Sequence, residues 1–487
     1  MNTTVDCSRL LWPVLDRFRP LIFVYRFKIK PFRASEVKPE TPIRIMRLTL
    51  TIIALLGASF AYSQAEITSW ILTDGSTGQY YNDNGNLIDS GVEVDIQLVQ
   101  YSDDNVYVTC EGMPSYPIGP YPDGNPAQAG GHGYLFRIPR NPVQEEGNLT
   151  SPGLGHIGVL INGVPIYNAE DAMSYNNQGI WHQDAIYFEN DGFDCSKGHP
   201  APDMQDINNG YYHHHQNPVT FDSATDVISN ICDDYPSDAL YEMDPNTHSP
   251  LIGFAFDGFP IYGSFGYDDT EGQGAIVRIE SSYQLRDITE RTTLADGTTL
   301  NANQYGPAIN NTFPLGAYIE DYEFVEGSGH LDIHNGRWCV TPEYPEGTYA
   351  YFATIGEDWN SAYPYFIGPT YYGEVATDNF AVMGPNGSPT DVDINEDVET
   401  WDGTISVAEL TSFGVTIYPN PASTVVMIDS EAQFTSVRIT DLQGRVVMSS
   451  GVLQQQFDVS VLPSGWYVVN LDMTNGAMIS EKLLIRR

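Results

Sequence analysis

Between Ala65 and about Gly373 the chain is built of short apolar and aromatic runs, each closed by Gly, Pro, Asn or Asp, and almost nowhere does an apolar face repeat every 3.6 residues. VDIQLVQY, NVYVTCEG, GYLFRIP, IGVLINGVPIY, LIGFAFDGFPIYG and TYAYFATI each have the length and the bounding turn residues of strands. The pattern argues against a helical bundle and predicts a mainly β fold. The 32 prolines and 44 glycines belong to connections rather than to disorder, because an aromatic content of 12% supplies large side chains for a core. A stretch of about 300 residues is long enough to bury one.

Charge and composition divide the rest of the chain. Residues 1–63 hold ten of the 22 Lys and Arg and four of the 63 acids, whereas from Gln64 onward twelve basic residues face 59 acidic ones. Such a surface repels nucleic acid and anionic lipid, and it suits a saline habitat or calcium loading. Met46-Arg47 followed by LTLTIIALLGASFAYSQ has a positive start, an apolar core and the small residues Ala61 and Ser63 ahead of Gln64. This is the pattern of a secretory signal peptide over residues 46–63, too short for a membrane span. Residues 1–45, with nine basic residues, fit no such signal and read as an over-extended gene start. Residues 64–384 then form one large β domain, 385–413 an acidic linker, and 414–487 a small second unit whose alternating VRITDL and WYVVNL predict strands. Within the linker Asp391, Asp393 and Asn395 are spaced like calcium-loop ligands, but Glu396 stands where that loop needs glycine, so the stretch reads as solvated.

Cys110, Cys195, Cys232 and Cys339 make an even number in an exported chain and predict two disulfides. Of the three pairings, Cys195–Cys232 brackets a histidine cluster and Cys110–Cys339 would tie the start of the domain to its end; a thiolate Cys195 beside His199 is the alternative.

That cluster carries the chemistry. His213, His214 and His215 are consecutive, and His199 lies fourteen residues before His213 in a Gly-His-Pro turn. On a strand, alternate side chains share a face, so His213 and His215 can converge on one ion while His214 looks the other way. Zinc or copper takes three or four nitrogen or oxygen donors, and a near pair plus one donor from a neighbouring loop supplies them: His199, His213 and His215. The bland reading is a hydrogen-bonded core motif with Tyr211 and Tyr212 as partners. Asp257, in an apolar run before Gly258, is either a buried functional carboxylate or the Asp of a tight turn. Asp257 and His334 are candidate proton shuttles, and Arg337 a counter-ion for Asp257, Asp332 or an anionic substrate. Asp184 and Asp194 could orient imidazoles. His132, His156, His182 and His248 read as structural, with His330 intermediate. No GxSxG, HExxH or phosphate-cradling loop occurs.

Tyr212, His213, His214 and His215 resemble the signature of the YHYH family, with His214 in place of its second tyrosine. GLGHIGVLINGVPIYNAEDAMSY (153–175), FDCSKGHP (193–200), SPLIGFAFDGFPIYGSFGY (249–267), HLDIHNGRWCVTPEYPEGTYAYFAT (330–354) and YPYFIGPTYYG (363–373) fit the same family in order. YPNP (418–421), VRITDLQGRVV (437–447), LPSGWYVVNL (462–471) and the terminal EKLLIRR resemble the C-terminal sorting domain of type IX secretion, a small Ig-like β-sandwich. That resemblance implies a partnership with the type IX machinery, translocation across the outer membrane after signal-peptide removal, and proteolytic loss of the domain with surface attachment or release. The expectation is an exported β-protein whose YHYH domain binds a transition metal, with metal-dependent catalysis on an extracellular substrate as its enzymatic form. The alternative is a non-catalytic module that cradles carbohydrate or a surface partner with Trp181, Trp338, Trp359, Tyr371 and Tyr372, its histidines being architecture.

Overall fold

The computed structural model describes residues 64–82, 84–125, 127–203, 205–218, 244–380, 390–401 and 403, and most of 416–486. The signal-peptide and start-site readings and Cys232 lie outside the described residues.

In YLFRIP every second residue is buried, the mark of a strand with one face on a core. This strand, β3 (Tyr134–Pro139), pairs antiparallel with β2 (Asn105–Cys110), which pairs with β1 (Ile96–Tyr101). The second sheet contains β4 (His156–Leu160), β5 (Pro165–Tyr167), β6 (Gly198–Ala201), β7 (Tyr211–His214), β8 (Leu251–Ala255), β9 (Pro260–Tyr262), β10 (Gly336–Cys339) and β11 (Thr348–Phe352). Its order is β6-β7-β5-β4-β8-β9-β11-β10, antiparallel except at β7–β5 and β9–β11.

The central strands HIGVL, LIGFA and TYAYF are buried at every position, so they read as continuous apolar runs rather than alternations. Both faces of this sheet are covered. Val159, Phe254 and Phe352 turn to one core with Val99, Val108 and Phe136 of the first sheet. Leu160, Ala255 and Tyr351 turn to the other, beneath Phe366, Ile367 and Tyr371. At the crossing of β4 and β8 the backbones approach closely: a Cβ on Gly253 would stand 2.6 Å from the carbonyl oxygen of Val159.

A fourth strand of the first sheet comes from the expected linker. β12 (Glu399–Trp401) pairs antiparallel with β1. Glu396 anchors it by accepting hydrogen bonds from Tyr107 Oη at 2.6 Å and Asn105 Nδ2 at 2.8 Å. Residues 399–401 are therefore paired to the first sheet while Asp391, Asp393 and Asn395 stay exposed: within this acidic stretch Glu396 serves as an acceptor for polar groups on β2.

Residues 416–486 form a separate two-sheet unit. Thr416–Tyr418, Val425–Asp429 and Gln456–Asp458 make one sheet, and Val446–Ser450, Phe434–Asp441, Gly465–Met473 and Met478–Ile485 the other. Val426, Ile428, Val437, Ile439, Val469, Leu471 and Leu483 form its core. The expected mainly β architecture is what the chain adopts.

The Cys110–Cys339 pairing is not formed: both are buried free thiols. Each packs as a small apolar group in the same core, Cys110 at the end of β2 with Sγ 3.3 Å from the Gly163 carbonyl, Cys339 at the end of the edge strand β10. Burial also pushes both thiols above their usual range, which suppresses the reactive thiolate. Cys195 is disulfide-bonded, which removes it as a thiolate ligand; its partner lies outside the described residues. We expect Cys110 and Cys339 to be inert to a thiol reagent in the native protein and to react in denaturant without reductant. Loss of either from that titration would restore the expected pairing.

Candidate metal centre

The triad is assembled by strand register. In the β6–β7 pair His199 lies directly opposite His213, so their side chains share a face, and His215 follows two residues later on that face. Asp194 holds the turn into β6. Its buried carboxylate accepts from the backbone N–H of Gly119 (2.9 Å), Ser196 (2.9 Å) and Gly198 (3.1 Å), and from the hydroxyls of Ser196 (2.9 Å) and Tyr212 (2.8 Å). Residue 198 has to be glycine, since a Cβ there would lie 2.4 Å from the Tyr212 hydroxyl.

Nε2 of His213 is 3.2 Å from Nε2 of His199 and 3.0 Å from Nε2 of His215. The other ring nitrogens fix the protonation pattern. Nδ1 of His213 is 2.8 Å from the Tyr211 carbonyl and Nδ1 of His215 is 2.6 Å from the Asn168 carbonyl. A carbonyl only accepts, so both Nδ1 atoms carry a proton; Nε2 of neutral His213 then presents a lone pair, and Nε2 of His215 does the same whenever that ring is neutral. With both rings neutral that contact is repulsive, and it is relieved either by a metal ion or by a proton on His215 Nε2, which Glu189 favours. Tyr167 stacks on His213 at 3.7 Å and Phe193 meets His199 edge-on, which locks the ring planes.

All three histidines are buried, at 7%, 2% and 3% exposure for His199, His213 and His215. Burial pushes His199 down to about 4 and His213 well below the usual imidazole range, so both are neutral near pH 7. His215 differs: burial would lower it, but the hydrogen bond and charge of Glu189 hold it above its ordinary value. Glu189 Oε2 lies 3.2 Å from His215 Nε2 and 3.5 Å from His199 Nε2. It ends the one-turn helix α1 (Ala185–Glu189), whose N-cap Asp184 accepts from Tyr187 N–H and is held by the Tyr365 hydroxyl at 2.7 Å. Burial would raise the Glu189 carboxyl, yet His215 and His199 keep it below the usual range. Asp171 is near enough to feel the charge of Glu189, and burial together with that charge raises its carboxyl to about 6.

His214 points away, as strand alternation requires, with Nε2 2.9 Å from the Tyr116 hydroxyl. The remaining candidates lie elsewhere. Asp257 closes the β8–β9 turn ahead of Gly258 (φ +89°), accepting from Tyr351 Oη at 2.6 Å and from the N–H groups of Gly373 and Phe259. Burial raises its carboxyl to about 6. His334 bonds to Thr370. Arg337, on β10 at the edge of the sheet opposite the triad, donates to the Tyr267 carbonyl and lies over Phe352, while Asp332 takes the Tyr349 hydroxyl. None of Asp257, His334 and Arg337 hydrogen-bonds to the triad. Asp184 and Asp194 support it indirectly, through α1 and the turn into β6, rather than by touching imidazole. Glu189, the carboxylate beside the triad, escaped sequence reading: its only signal is an aspartate that can cap a single turn.

Other histidines are structural. His156 packs edge-on to Tyr134, Phe136 and Phe256; His182 pairs with Glu320 at 2.6 Å; His132 stacks on Tyr211. The aromatic cradle is not formed either. Trp181 and Tyr371 are fully buried and Tyr372 nearly so, as core members, and Trp338 alone of the five is well exposed.

Fold and site together define a β-rich protein with a buried, convergent histidine triad at one edge of its main sheet. Residues 135–365 match the family model described as YHYH protein, and residues 416–486 that of the secretion system C-terminal sorting domain. The chain is a YHYH-domain protein with a C-terminal type IX sorting domain, which directs it across the outer membrane to the cell surface or the extracellular space. A similar curated protein is beta-agarase D of Zobellia galactanivorans, 32% identical over 69 residues. The match covers 14% of each protein, so the chain spans about one-seventh of that relative's length. No described helix is long and apolar enough to cross a membrane.

Proposed function

We propose that the exported YHYH domain binds one transition-metal ion, zinc or copper, through Nε2 of His199, His213 and His215. The observation that carries this reading is the convergence of three buried Nε2 atoms, those of His199 and His215 at 3.2 and 3.0 Å from that of His213, with Nδ1 of His213 and of His215 each committed to a carbonyl. A bound cation would take all three Nε2 atoms as donors, and the carbonyl contacts of Nδ1 on His213 and His215 are the outer-sphere partners that metal-bound histidines usually have. Burial supports it too, because two of the rings are held neutral and therefore able to donate. The ion would join β6 to β7 and the residue just after it through side chains, and His215 in turn bonds to the Asn168 carbonyl just after β5. The short agarase match brings no substrate with it, and the burial of Trp181, Tyr371 and Tyr372 leaves little surface for a glycan-stacking module.

Elemental analysis of the purified mature protein, repeated after chelation and reloading, is the test. One equivalent of zinc or copper per chain, removable by chelator and restored on titration, is expected. A protein that neither retains nor takes up metal would refute the reading.

A further inference from the structure

Whether such a centre could do chemistry depends on its fourth position: structural zinc sites are closed by four protein donors, whereas catalytic ones leave a place for water. A tetrahedral ion with donors at about 2.0–2.1 Å has donor–donor edges of about 3.3 Å. The triad gives two such edges, 3.2 and 3.0 Å. Glu189 Oε2 gives two more, 3.5 Å to His199 and 3.2 Å to His215. Four of the six donor–donor distances are thus near edge length; only the three histidines lie mutually within 4.8 Å, so Glu189 Oε2 has to move toward His213 as the ion binds.

We infer that Glu189 Oε2 is the fourth ligand, making a closed His3Glu centre whose ion is structural. This deepens the metal reading and rests on it. The carboxylate is well built for the task. It sits at the end of a helix whose N-cap is pinned by Tyr365, and its side chain, 27% exposed, is more accessible than the imidazoles it faces. An oxygen donor added to three imidazoles favours a divalent ion of the zinc type over copper(I), which prefers softer ligands. The centre ties α1 to the edge strand β6 and its neighbour β7, so its contribution is to hold three separate segments together.

Cobalt(II) substitution of the full mature protein tests this, since a four-coordinate cobalt site absorbs strongly in the visible and a site with an open position changes its spectrum when azide is added. The wild type is expected to give the intense spectrum and to ignore azide. Glu189→Ala should still take up cobalt through its histidines, with affinity lowered at least the roughly 10–100-fold that loss of even outer partners costs, and its spectrum should respond to azide. Glu189→Gln should lie between the two. The inference is overturned if wild-type cobalt protein responds to azide, or if Glu189→Ala matches the wild type in affinity and spectrum. Failure of the wild type to bind cobalt, zinc or copper at all would instead sink the underlying metal reading.

Discussion

Replacing His213 and His215 together by alanine is expected to take the bound metal from one equivalent to none while leaving the β fold in place. Two of three imidazole donors vanish, and one histidine with one carboxylate does not hold zinc or copper against a chelator. The backbone pairing of β7 with β6 and β5 does not involve the imidazoles, so the strands survive the change. Stability reports the same loss. Zinc held at 100 times its dissociation constant should stabilise the wild type by about 2.7 kcal/mol, and the double variant should melt at the same temperature with and without zinc. Metal-dependent stabilisation that persists in the variant would place the ion elsewhere.

Asp194→Ala should show the opposite signature, a large loss of stability whether or not metal is present. The buried carboxylate takes three backbone N–H groups and two hydroxyls. The hydroxyls of Ser196 and Tyr212 also bond each other at 2.8 Å, so they keep a partner. The amides of Gly119, Ser196 and Gly198 do not, and each orphaned buried donor costs about 1–3 kcal/mol. With partial relaxation the expected loss is on the order of 3–5 kcal/mol, read by urea unfolding. Metal affinity should fall as well, because the turn that aims His199 is no longer held. A variant within about 1 kcal/mol of the wild type would mean that water replaces the carboxylate and that the turn is self-supporting.

The two variants separate the part of the site that sequence makes legible from the part it hides. His199, His213 and His215 could be read because their geometry is local: nine residues separate β6 from β7, and alternation on one strand decides which imidazoles share a face. Strand character was legible for the same reason, from short runs and turn residues. What sequence hides depends on sheet order. Arg337 is on β10 at one edge of the sheet and the triad is at the other, an arrangement no spacing reveals. Asp257 looked functional because a carboxylate in an apolar run must be satisfied, and it is, by a tyrosine ninety-four residues away and by its own turn. Cys110 and Cys339 share a core without pairing, and parity of cysteines cannot distinguish those outcomes. Residues 390–401 have a linker's composition, yet they complete a sheet, because acidic groups bind neighbouring hydroxyls and amides as readily as water.

The central claim is that one ion sits between three imidazoles, and anomalous diffraction at the absorption edge of zinc or copper, from crystals of metal-loaded mature protein, measures it directly. The account predicts a single strong peak about 2.0–2.1 Å from Nε2 of each of His199, His213 and His215. Density at that point with no anomalous signal, or rings turned apart into separate hydrogen bonds, would contradict it.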